Sequence, residues 1–411
     1  MKLLRLLIPA AALGLAACQT PAPVTPPPPV ATPTPCPPAP ACPPTTPPPA
    51  AKTEAAVRFE PASFAALPTT RDQDWAAALS ALRASCQVLA KRPAWTLACA
   101  EAGIAPAEVA RQFFENRFTP YRVISATLVD GQETRRETQG LMTGYYEPLL
   151  RGSRTRKPPY LTPLYRVPDD LLVIDLASLY PELGKLRLRG RLEGRKVVPY
   201  DSRAQIGEGK RLAGQELVWV DDPLAAFFLQ VQGSGRVQLP DGSQIRLGYA
   251  DQNGHPYKAI GRWLIDQGHL KASEVSMQSI TDWARRNPKR RDELLDQNPS
   301  YVFFRESAVG NPAEGPRGAL GVALTPQASI AVDRRFIPLG APLVIAARQP
   351  EVGIDFARPV LAQDTGGAIR GPLRFDYFWG FGPSAGERAG RQKSEVQAWL
   401  LVPKGAAPEQ L

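Results

Sequence analysis

Histidine, cysteine and methionine are scarce in this chain of 411 residues, which contains two histidines, five cysteines and three methionines. No Cys-X-X-Cys pair or Cys/His cluster is present. Transition-metal centres are built from such clusters, so we expect neither metal catalysis nor a cofactor. Long apolar runs are scarce too: the run from Leu6 to Ala17 has 12 residues, whereas a membrane-spanning helix needs roughly 20.

The first residues have the pattern of an export signal. Lys2 and Arg5 precede the apolar run, and Leu15-Ala-Ala-Cys18 ends it. Small residues directly before a cysteine are typical of a bacterial lipoprotein signal, so we predict that residues 1–17 are removed and that Cys18 is lipidated. The alternative is an ordinary signal peptide with an incidental cysteine. Gln19 rather than Asp after Cys18 favours delivery to the outer membrane, with the protein in the periplasm.

Four cysteines remain once Cys18 is assigned to lipid. In an oxidising periplasm they allow two disulfides with three connectivities. Pairing between neighbours in the chain is the simplest hypothesis, and the pairs would then be Cys36–Cys42 and Cys86–Cys99.

Residues 18–55 are dominated by proline with alanine and threonine. A segment of this composition cannot bury a core and behaves as a semi-rigid tether. The formal net charge of +10 is spread along the chain, without a known nucleic-acid motif. We therefore expect no nucleic-acid partner. An exported basic protein instead meets peptidoglycan carboxylates and anionic lipid heads.

Helical patterns lie at the start of the body and in its middle. Apolar residues at helical spacing predict a helix that begins near Arg71, and Pro106 opens a second helix that ends near Arg117. Further helices are predicted at residues 257–267, 273–286 and 289–296. Strands are expected at residues 141–150, 196–200, 227–233, 301–305, 328–332, 343–346 and 359–363, with a hairpin over 236–247 that turns at Asp241-Gly242.

The stretch from Leu361 to Gly380 carries two carboxylates, Asp364 and Asp376, around the Gly366-Gly367 turn, in an apolar and aromatic setting. Glycines let backbone approach a ligand closely. A carboxylate among aromatic side chains has its charged form disfavoured, which raises its pKa towards that of a usable acid. Because aromatic rings also suit sugar rings, the stretch indicates acid/base chemistry on carbohydrate.

Four further stretches accompany this one. They are Thr143-Gly-Tyr-Tyr-Glu-Pro148, Val231-Gln-Gly-Ser-Gly235, Gly248-Tyr-Ala-Asp-Gln-Asn-Gly-His255 and Asn298-Pro-Ser-Tyr-Val-Phe-Phe304. In order and spacing the five resemble the membrane-bound lytic murein transglycosylase A family, over nearly everything after the tether. The last third also resembles a 3D domain, whose three aspartates would be Asp333, Asp364 and Asp376.

The resemblance implies a mainly β fold with flanking helices. A double-psi β-barrel would be formed by residues 56–147 and 307–411, with residues 148–306 inserted as a smaller β-domain and the glycan in a groove between them. It implies cleavage of peptidoglycan strands between N-acetylmuramic acid and N-acetylglucosamine, with a 1,6-anhydro product. Partners would be peptidoglycan, the outer membrane and complexes of wall synthesis or division.

Residue roles follow from the same resemblance. Asp376 matches the family's catalytic aspartate, and Asp364 would orient it or steady positive charge on the sugar. Residues that match the family's motifs are candidate glycan contacts: Thr143, Gly144, Tyr145, Gln232, Gly233, Ser234, Gly366 and Gly367.

Each residue has a structural alternative. Asp364 is also suited to capping its own turn, and Asp333 to an ion pair or a structural hydrogen bond. The small polar residues beside glycine are normal turn chemistry, and His255 is expected to be structural. Of Tyr145 and Tyr146, which alternate along a strand, only one can face the groove.

Three other functions are open. An inverting hydrolase would use Asp364 as base and Asp376 as acid, with water as nucleophile. A wall-binding lipoprotein would lack catalysis. Asp-Thr-Gly is also the signature of aspartic proteases, which need two such loops, and this chain has one.

Overall fold

The computed structural model describes residues 52–411. The predicted signal peptide, Cys18, the pair Cys36–Cys42 and most of the tether lie outside the described residues. Strand β1 begins at Thr53, near the start of the described residues. Among residues 52–411, no helix is long and apolar enough to cross a membrane.

The described residues form eighteen strands and nine α-helices. The strands are β1 (Thr53–Pro61), β2 (Phe118–Val129), β3 (Gln132–Glu137), β4 (Gly140–Glu147), β5 (Leu149–Ser153), β6 (Thr162–Tyr165), β7 (Leu172–Val173), β8 (Arg189–Glu193), β9 (Lys196–Pro199), β10 (Glu216–Val220), β11 (Ser234–Gln238), β12 (Gln244–Gln252), β13 (Val302–Ala308), β14 (Ser329–Ala331), β15 (Pro342–Gln349), β16 (Ile354–Asp364), β17 (Arg374–Phe381) and β18 (Lys393–Pro403). The helices are α1 (Asp72–Leu89), α2 (Thr96–Ile104), α3 (Ala110–Arg117), α4 (Arg203–Glu208), α5 (Pro223–Gln232), α6 (Ile260–Asp266), α7 (Met277–Arg286), α8 (Arg291–Asp296) and α9 (Pro383–Arg391).

The larger sheet contains a closed barrel. Strand β4 pairs in parallel with β17 and antiparallel with β18, and the ring continues from β18 through β15, β16 and β14 back to β17. Six strands thus close on themselves, while β1, β2 and β3 extend the sheet beside β18. The expected mainly β fold with a barrel and flanking helices is confirmed.

The second sheet is built from the middle of the chain, in the order β13-β12-β11-β5-β10-β6. A parallel bridge joins Arg166, just after β6, to Phe304 in β13, so the two edge strands approach each other. Strands β7, β8 and β9 form a separate small sheet. The first sheet draws its strands from residues 53–147 and 329–403, which surround the residues of the second in sequence.

Helix α1 packs on the barrel as its periodicity predicted. Trp75, Leu79, Leu82 and Leu89 are buried in the main apolar core, together with Phe113 and Phe114 of α3. The predicted disulfide Cys86–Cys99 is present and joins α1 to α2. Burial of these aliphatic and aromatic side chains is the main stabilising contribution of the helical flank.

The other predictions hold for most elements. The helices at 257–267, 273–286 and 289–296 are confirmed as α6, α7 and α8, each with shorter bounds, and the 236–247 hairpin is β11–β12. The strand expected at 141–150 is confirmed as two strands, β4 and β5, divided at Pro148.

The strand predicted at residues 227–233 is wrong, because this segment lies in α5 and its C-terminal cap. Asp222 caps the helix by accepting hydrogen bonds from the N–H groups of Leu224 and Ala225, and Pro223 occupies the first turn. Gly233 ends the helix with φ of 80°, a left-handed conformation that glycine adopts without strain. The apolar run resembles a buried strand in composition. The capping residues at its two ends are those of a helix, and a helix forms.

Candidate active site

Four residues stand in one row across the barrel wall. In the pairing of β14 with its neighbours, Ala331 is opposite Asp364 on one side and Asp376 on the other. Asp376 is in turn opposite Thr143 of β4. Residues side by side on paired strands face the same side of a sheet. We call Asp364, Ala331, Asp376 and Thr143 the carboxylate row.

A bulge sets the position of Asp364 in this row. The pairing moves from Ile330 opposite Ala362 to Ala331 opposite Asp364, so Gln363 is the extra residue. Its buried side chain donates to the Ala81 carbonyl and to Ser85 Oγ of α1, at 2.8 and 2.9 Å. Bulges commonly re-aim side chains beside active sites. Here the bulge turns Gln363 into the core and brings Asp364 level with Asp376.

Asp376 receives one hydrogen bond from the part of the chain that the structure describes. The hydroxyl of Thr143 donates to Asp376 Oδ1 over 2.6 Å. Burial raises the pKa of Asp376 to about 6, against the lowering effects of the Thr143 hydrogen bond and the charge of Arg374, and the negative charge of Asp364 raises it further. This carboxyl group is therefore able to hold and release a proton near neutral pH.

The aromatic neighbours of Asp376 in sequence do not all surround its carboxyl group. Side chains alternate along a strand, and Phe375, Tyr377 and Trp379 belong to the main core. Phe378 instead joins a separate apolar cluster with Tyr145, Leu324, Ala331 and Ile369. The expected rise in pKa is confirmed, and its largest cause is burial.

Asp364 is held by three donors. Its Oδ1 accepts the backbone N–H groups of Thr365 and Ala319, each at 2.9 Å, and its Oδ2 accepts the Tyr145 hydroxyl at 3.0 Å. Burial raises the pKa of Asp364 above its ordinary value, although these three hydrogen bonds each lower it. Asp364 thus fixes its own turn and also places a negative charge close enough to affect the pKa of Asp376.

Asp333 has a different setting, in what we call the Asp333 turn (residues 333–337). Arg335 bonds both of its oxygens, with Nε 2.9 Å from Oδ1 and Nη2 2.5 Å from Oδ2, and the Gly371 N–H donates to Oδ2 at 2.8 Å. Burial alone would raise the pKa of Asp333, but the bonds from Arg335 and Gly371 together lower it. Asp333 holds the loop between β16 and β17 in place.

The Thr143-Gly-Tyr-Tyr motif places each of its residues differently. Thr143 bonds Asp376, and the buried Tyr145 bonds Asp364 and packs on Phe378, with ring centroids 5.2 Å apart. At Gly144 a Cβ atom would lie 2.7 Å from the indole nitrogen of Trp379, so only glycine fits there. Of the two tyrosines it is Tyr145 that faces the carboxylate row.

The Gln232-Gly-Ser234 motif lies at the end of α5, on the second sheet. Gln232 Oε1 accepts the backbone N–H of Tyr146 at 3.1 Å, which brings this motif beside the end of β4. Ser234 opens β11 and is buried. The two motifs, which are far apart in sequence, therefore meet where the two sheets join.

The junction of the sheets also contains a buried carboxylate. Glu147 accepts hydrogen bonds from Arg236 Nε at 2.9 Å and Arg246 Nε at 2.7 Å, and both arginines donate to the Glu314 carbonyl. Breaking such a buried pair is costly because a charge is left without a partner. We expect this cluster to fix the junction.

Of the remaining candidates, Gly366 and Gly367 lie in the loop after Asp364, and Gly367 is exposed. His255 is structural as expected, since its Nε2 lies 2.7 Å from the Tyr200 carbonyl oxygen. Sequence reasoning missed Arg374, whose Nη2 donates to Thr143 Oγ1 at 3.0 Å. A signal was available, because residues two apart in a strand share a face.

Two family models match the chain. The MltA specific insert domain matches residues 141–305, and the 3D domain matches residues 328–402. The first match contains five strands of the second sheet and the first part of β13, and the second contains β14–β17 and most of β18.

Known proteins are similar over most of the chain. Membrane-bound lytic murein transglycosylase A of Escherichia coli (strain K12) is 34% identical over 285 residues, which are 68% of this chain and 69% of that protein. The crystal structure of MltA from Neisseria gonorrhoeae is 38% identical, with a TM-score of 0.72 over 86% of this chain and 95% of that one. E. coli MltA with bound chitohexaose is 28% identical, with a TM-score of 0.62 over 84% of this chain and 94% of that one.

Proposed function

Since the chain belongs to the membrane-bound lytic murein transglycosylase A family, we propose that Asp376 is the single acid and base of its reaction. The protein is a lytic transglycosylase that cleaves peptidoglycan. The observation that carries the proposal is the setting of Asp376, a carboxyl group with one neutral donor and a pKa raised to about 6.

In the first step Asp376 acts as the acid. It protonates the glycosidic oxygen between N-acetylmuramic acid and N-acetylglucosamine, and the bond from muramyl C1 to that oxygen breaks. A general acid works best when its pKa lies near the working pH. With a pKa of about 6, roughly one tenth of the Asp376 carboxyls carry a proton at pH 7.

In the second step the same group acts as the base. The Asp376 carboxylate takes the proton of the muramyl C6 hydroxyl, and O6 bonds to C1 to close the 1,6-anhydro ring. Asp376 is protonated again at the end, and water is not consumed. A conventional glycosidase needs a second carboxyl group to act as nucleophile or to activate water, and this reaction does not.

Asp364 supports these steps through its charge. It raises the pKa of Asp376, and as an anion two strands away it would stabilise positive charge that develops at C1. The Cα atoms of residues two strands apart are roughly 10 Å from each other. At this distance, with the buried Ala331 between them, Asp364 acts on Asp376 through its charge rather than through a hydrogen bond.

The glycan contacts are proposed for the motifs that meet at this place. We propose that residues from both sides of the junction line the path of the glycan: Gln232, Gly233 and Ser234 where α5 meets β11, Gly144 and Tyr145 on β4, and Gly366 and Gly367 in the loop after β16. We retain residues 148–306 as an inserted domain, which the separate second sheet supports. Limited proteolysis tests this division, since cleavage confined to the two connections near residues 148 and 306 is expected.

A hydrolase that uses Asp364 as its base is less well supported. Both oxygens of Asp364 already accept hydrogen bonds from the protein. Within the described residues, Oδ2 of Asp376 has no such partner. The arrangement therefore favours one working carboxyl group over two.

Product analysis on purified sacculi tests the reaction. The wild-type protein should release 1,6-anhydromuropeptides, which lack a reducing end, and muropeptides heavier by one water would contradict the proposal. Asp376→Asn should still bind glycan but lose turnover, and retained activity would refute the assignment. Asp355→Asn is the matched control, because Asp355 is an exposed aspartate elsewhere on β16.

We also propose that the protein is anchored to the outer membrane through a lipid on Cys18. The signal pattern before Cys18 supports this anchor, as does the name of the membrane-bound relatives. Cys18→Ser should move the protein from the outer-membrane fraction to the soluble periplasmic fraction. An unchanged distribution would count against the lipid anchor.

A further inference from the structure

The Thr143 hydroxyl lies between an arginine and the proposed catalytic carboxyl group. Its Oγ1 is 3.0 Å from Nη2 of Arg374 and 2.6 Å from Oδ1 of Asp376. Arg374 stands two residues before Asp376 on β17, and Thr143 is opposite Asp376 on β4. The second nitrogen of the guanidinium, Nη1, donates to the Phe375 carbonyl. The three side chains thus form a short chain of hydrogen bonds.

The direction of these bonds is fixed by the chemistry of the groups. A guanidinium group only donates and stays protonated, and a hydroxyl group has one hydrogen. Thr143 Oγ1 must therefore accept from Arg374, and its single hydrogen is left to donate to Oδ1 of Asp376. If Oδ1 of Asp376 carried a proton, the Thr143 hydroxyl would have to turn its own hydrogen away, and the described residues offer that hydrogen no other acceptor.

We propose that Thr143 and Arg374 are a positioning pair that keeps Oδ1 of Asp376 as an acceptor and places the catalytic proton on Oδ2. The proposal rests on the role of Asp376 given above and names the oxygen that acts. The proton leaves Oδ2 for the glycosidic oxygen, and Oδ2 then takes the proton of the C6 hydroxyl. Oδ1 remains bonded to Thr143 throughout, so the carboxyl group does not rotate between the steps.

Several other charged or titratable groups face this pair. Asp364 lies beyond Ala331 in the carboxylate row, and Tyr145 follows Thr143 on the same strand. Lys393, with an exposed side chain, stands opposite Thr143 on β18. Of the described residues, Arg374 is the cation that bonds Thr143 directly, so Arg374 is the one that sets the direction of the hydroxyl.

A double-mutant cycle tests whether the two residues act as one unit. Thr143→Val, Arg374→Met and the double variant are compared by kcat on purified sacculi from pH 5 to 9, with 1,6-anhydro products measured by mass spectrometry. Hydrogen bonds to charged groups predict a loss of about 10- to 100-fold for Thr143→Val. The double variant should be no slower than Thr143→Val alone, because the effect of Arg374 on the position of the carboxyl group passes through the hydroxyl.

The pH profile provides a second readout. Thr143→Val removes a bond that lowers the pKa of Asp376, and Arg374→Met removes a charge that lowers it. Activity requires protonated Asp376, so the loss of activity at high pH should move to higher pH in both variants. A substitution that acts only on folding would lower the rate without moving this limb.

Conservative variants keep the test decisive. Thr143→Ser keeps the hydroxyl and Arg374→Lys keeps a donor, so both should be faster than Thr143→Val and Arg374→Met. Arg348→Met, at an exposed arginine on β15, is the charge-matched control and should leave kcat unchanged. Thr143→Ser as slow as Thr143→Val, or losses that multiply in the double variant, would overturn the pair.

The two proposals fail in different ways. Retained turnover in Asp376→Asn overturns the assignment of the acid, and the positioning pair with it. An inactive Asp376→Asn variant together with independent effects of Thr143 and Arg374 overturns the pair alone. An inactive Asp376→Asn variant with non-additive losses supports both.

Discussion

The Asp333 turn and the carboxylate row belong to the same barrel and are linked by the loop of residues 365–373, yet they treat an aspartate in opposite ways. Asp333 bonds a guanidinium group and a backbone N–H, and its pKa is lowered. Asp376 bonds one hydroxyl group, and its pKa is raised to about 6. Burial raises the pKa in both places, so the donors decide the difference.

This contrast separates a structural aspartate from a reactive one. A carboxylate with its full set of charged and neutral donors stays ionised and ties segments together. A buried carboxylate with few donors binds a proton near neutral pH and costs the folded state stability, as is common at functional sites. Asp364 lies between these extremes: among residues 52–411 it has three neutral donors and no cation bonded to it.

Replacing Asp376 should have the largest effect. Loss of a general acid typically slows a reaction by about 10²- to 10⁴-fold, so Asp376→Asn should show little or no turnover on sacculi. The same variant should have a free energy of unfolding higher by about 1–3 kcal/mol at pH 7. The reason is that the raised pKa of Asp376 makes its ionisation in the folded wild type unfavourable, and an asparagine does not ionise.

The sign of this stability change follows from the two pKa values. The folded pKa of about 6 lies above the ordinary value of 3.8, so the wild type loses stability as the pH rises through that interval. Urea unfolding should show the gain of Asp376→Asn at pH 7 and none near pH 3. An equal gain at both values would mean that ionisation of Asp376 is not its cause.

Asp364→Asn should have the next largest effect. An asparagine keeps an oxygen for the Ala319 and Thr365 N–H groups but removes the charge that raises the pKa of Asp376. We expect about a 10-fold loss of kcat at neutral pH. In the pH–rate profile, the fall of activity at high pH should move to lower pH. A normal rate and profile would show that Asp364 only caps its turn.

Arg335→Met tests the other side of the comparison. The side chain of Arg335 is 50% exposed, so the lost ion pair should lower the free energy of unfolding by only about 1–2 kcal/mol. The pKa of Asp333 is lowered in the folded state, so this stabilisation is present at pH 7 and is lost as the pH falls below about 4.

The control for this change is Arg334→Met, at the exposed neighbouring arginine. Both variants are measured by urea unfolding at pH 7 and pH 3, and turnover per folded molecule should stay within about twofold of wild type, because neither residue is in the row. Equal destabilisation by the two substitutions would mean that the ion pair to Asp333 is not what holds the turn.

The sequence predicted the residues of the site better than their arrangement. Asp364, Asp376 and Thr143 are visible because carboxylates and small polar groups beside glycines are chemically distinctive. Their alignment depends on β14, a strand of three residues, and on the bulge at Gln363. A strand of three residues and a single extra residue are too short to leave a periodic pattern in the sequence. The register across strands is set by tertiary packing.

The same limit explains the errors elsewhere. The segment 227–233 resembles a strand by its apolar residues, although Asp222, Pro223 and Gly233 mark a helix. Arg374 was overlooked because an arginine in a basic chain carries little information, and its partner Thr143 is 231 residues away in sequence. Donor sets that decide a pKa are assembled from such distant segments.

Of the three substitutions expected to slow the reaction, Tyr145→Phe should have the smallest effect on kcat. The change keeps the buried ring against Phe378 and removes only the hydroxyl that donates to Asp364 Oδ2. The usual net value of a hydrogen bond predicts a loss of kcat of about 2- to 10-fold. Because Tyr145 would act through Asp364, the variant that combines it with Asp364→Asn should be no slower than Asp364→Asn alone.

Tyr146→Phe is the matched control for this last change. Tyr146 follows Tyr145 on β4, its ring contacts Gly386 of α9, and among the described residues no hydrogen bond involves its hydroxyl group. Its rate should therefore equal that of wild type. A greater loss of kcat in Tyr146→Phe than in Tyr145→Phe would mean that the opposite face of β4 contributes to the reaction. The donors to Asp364 would then not explain how the carboxylate row differs in reactivity from the Asp333 turn.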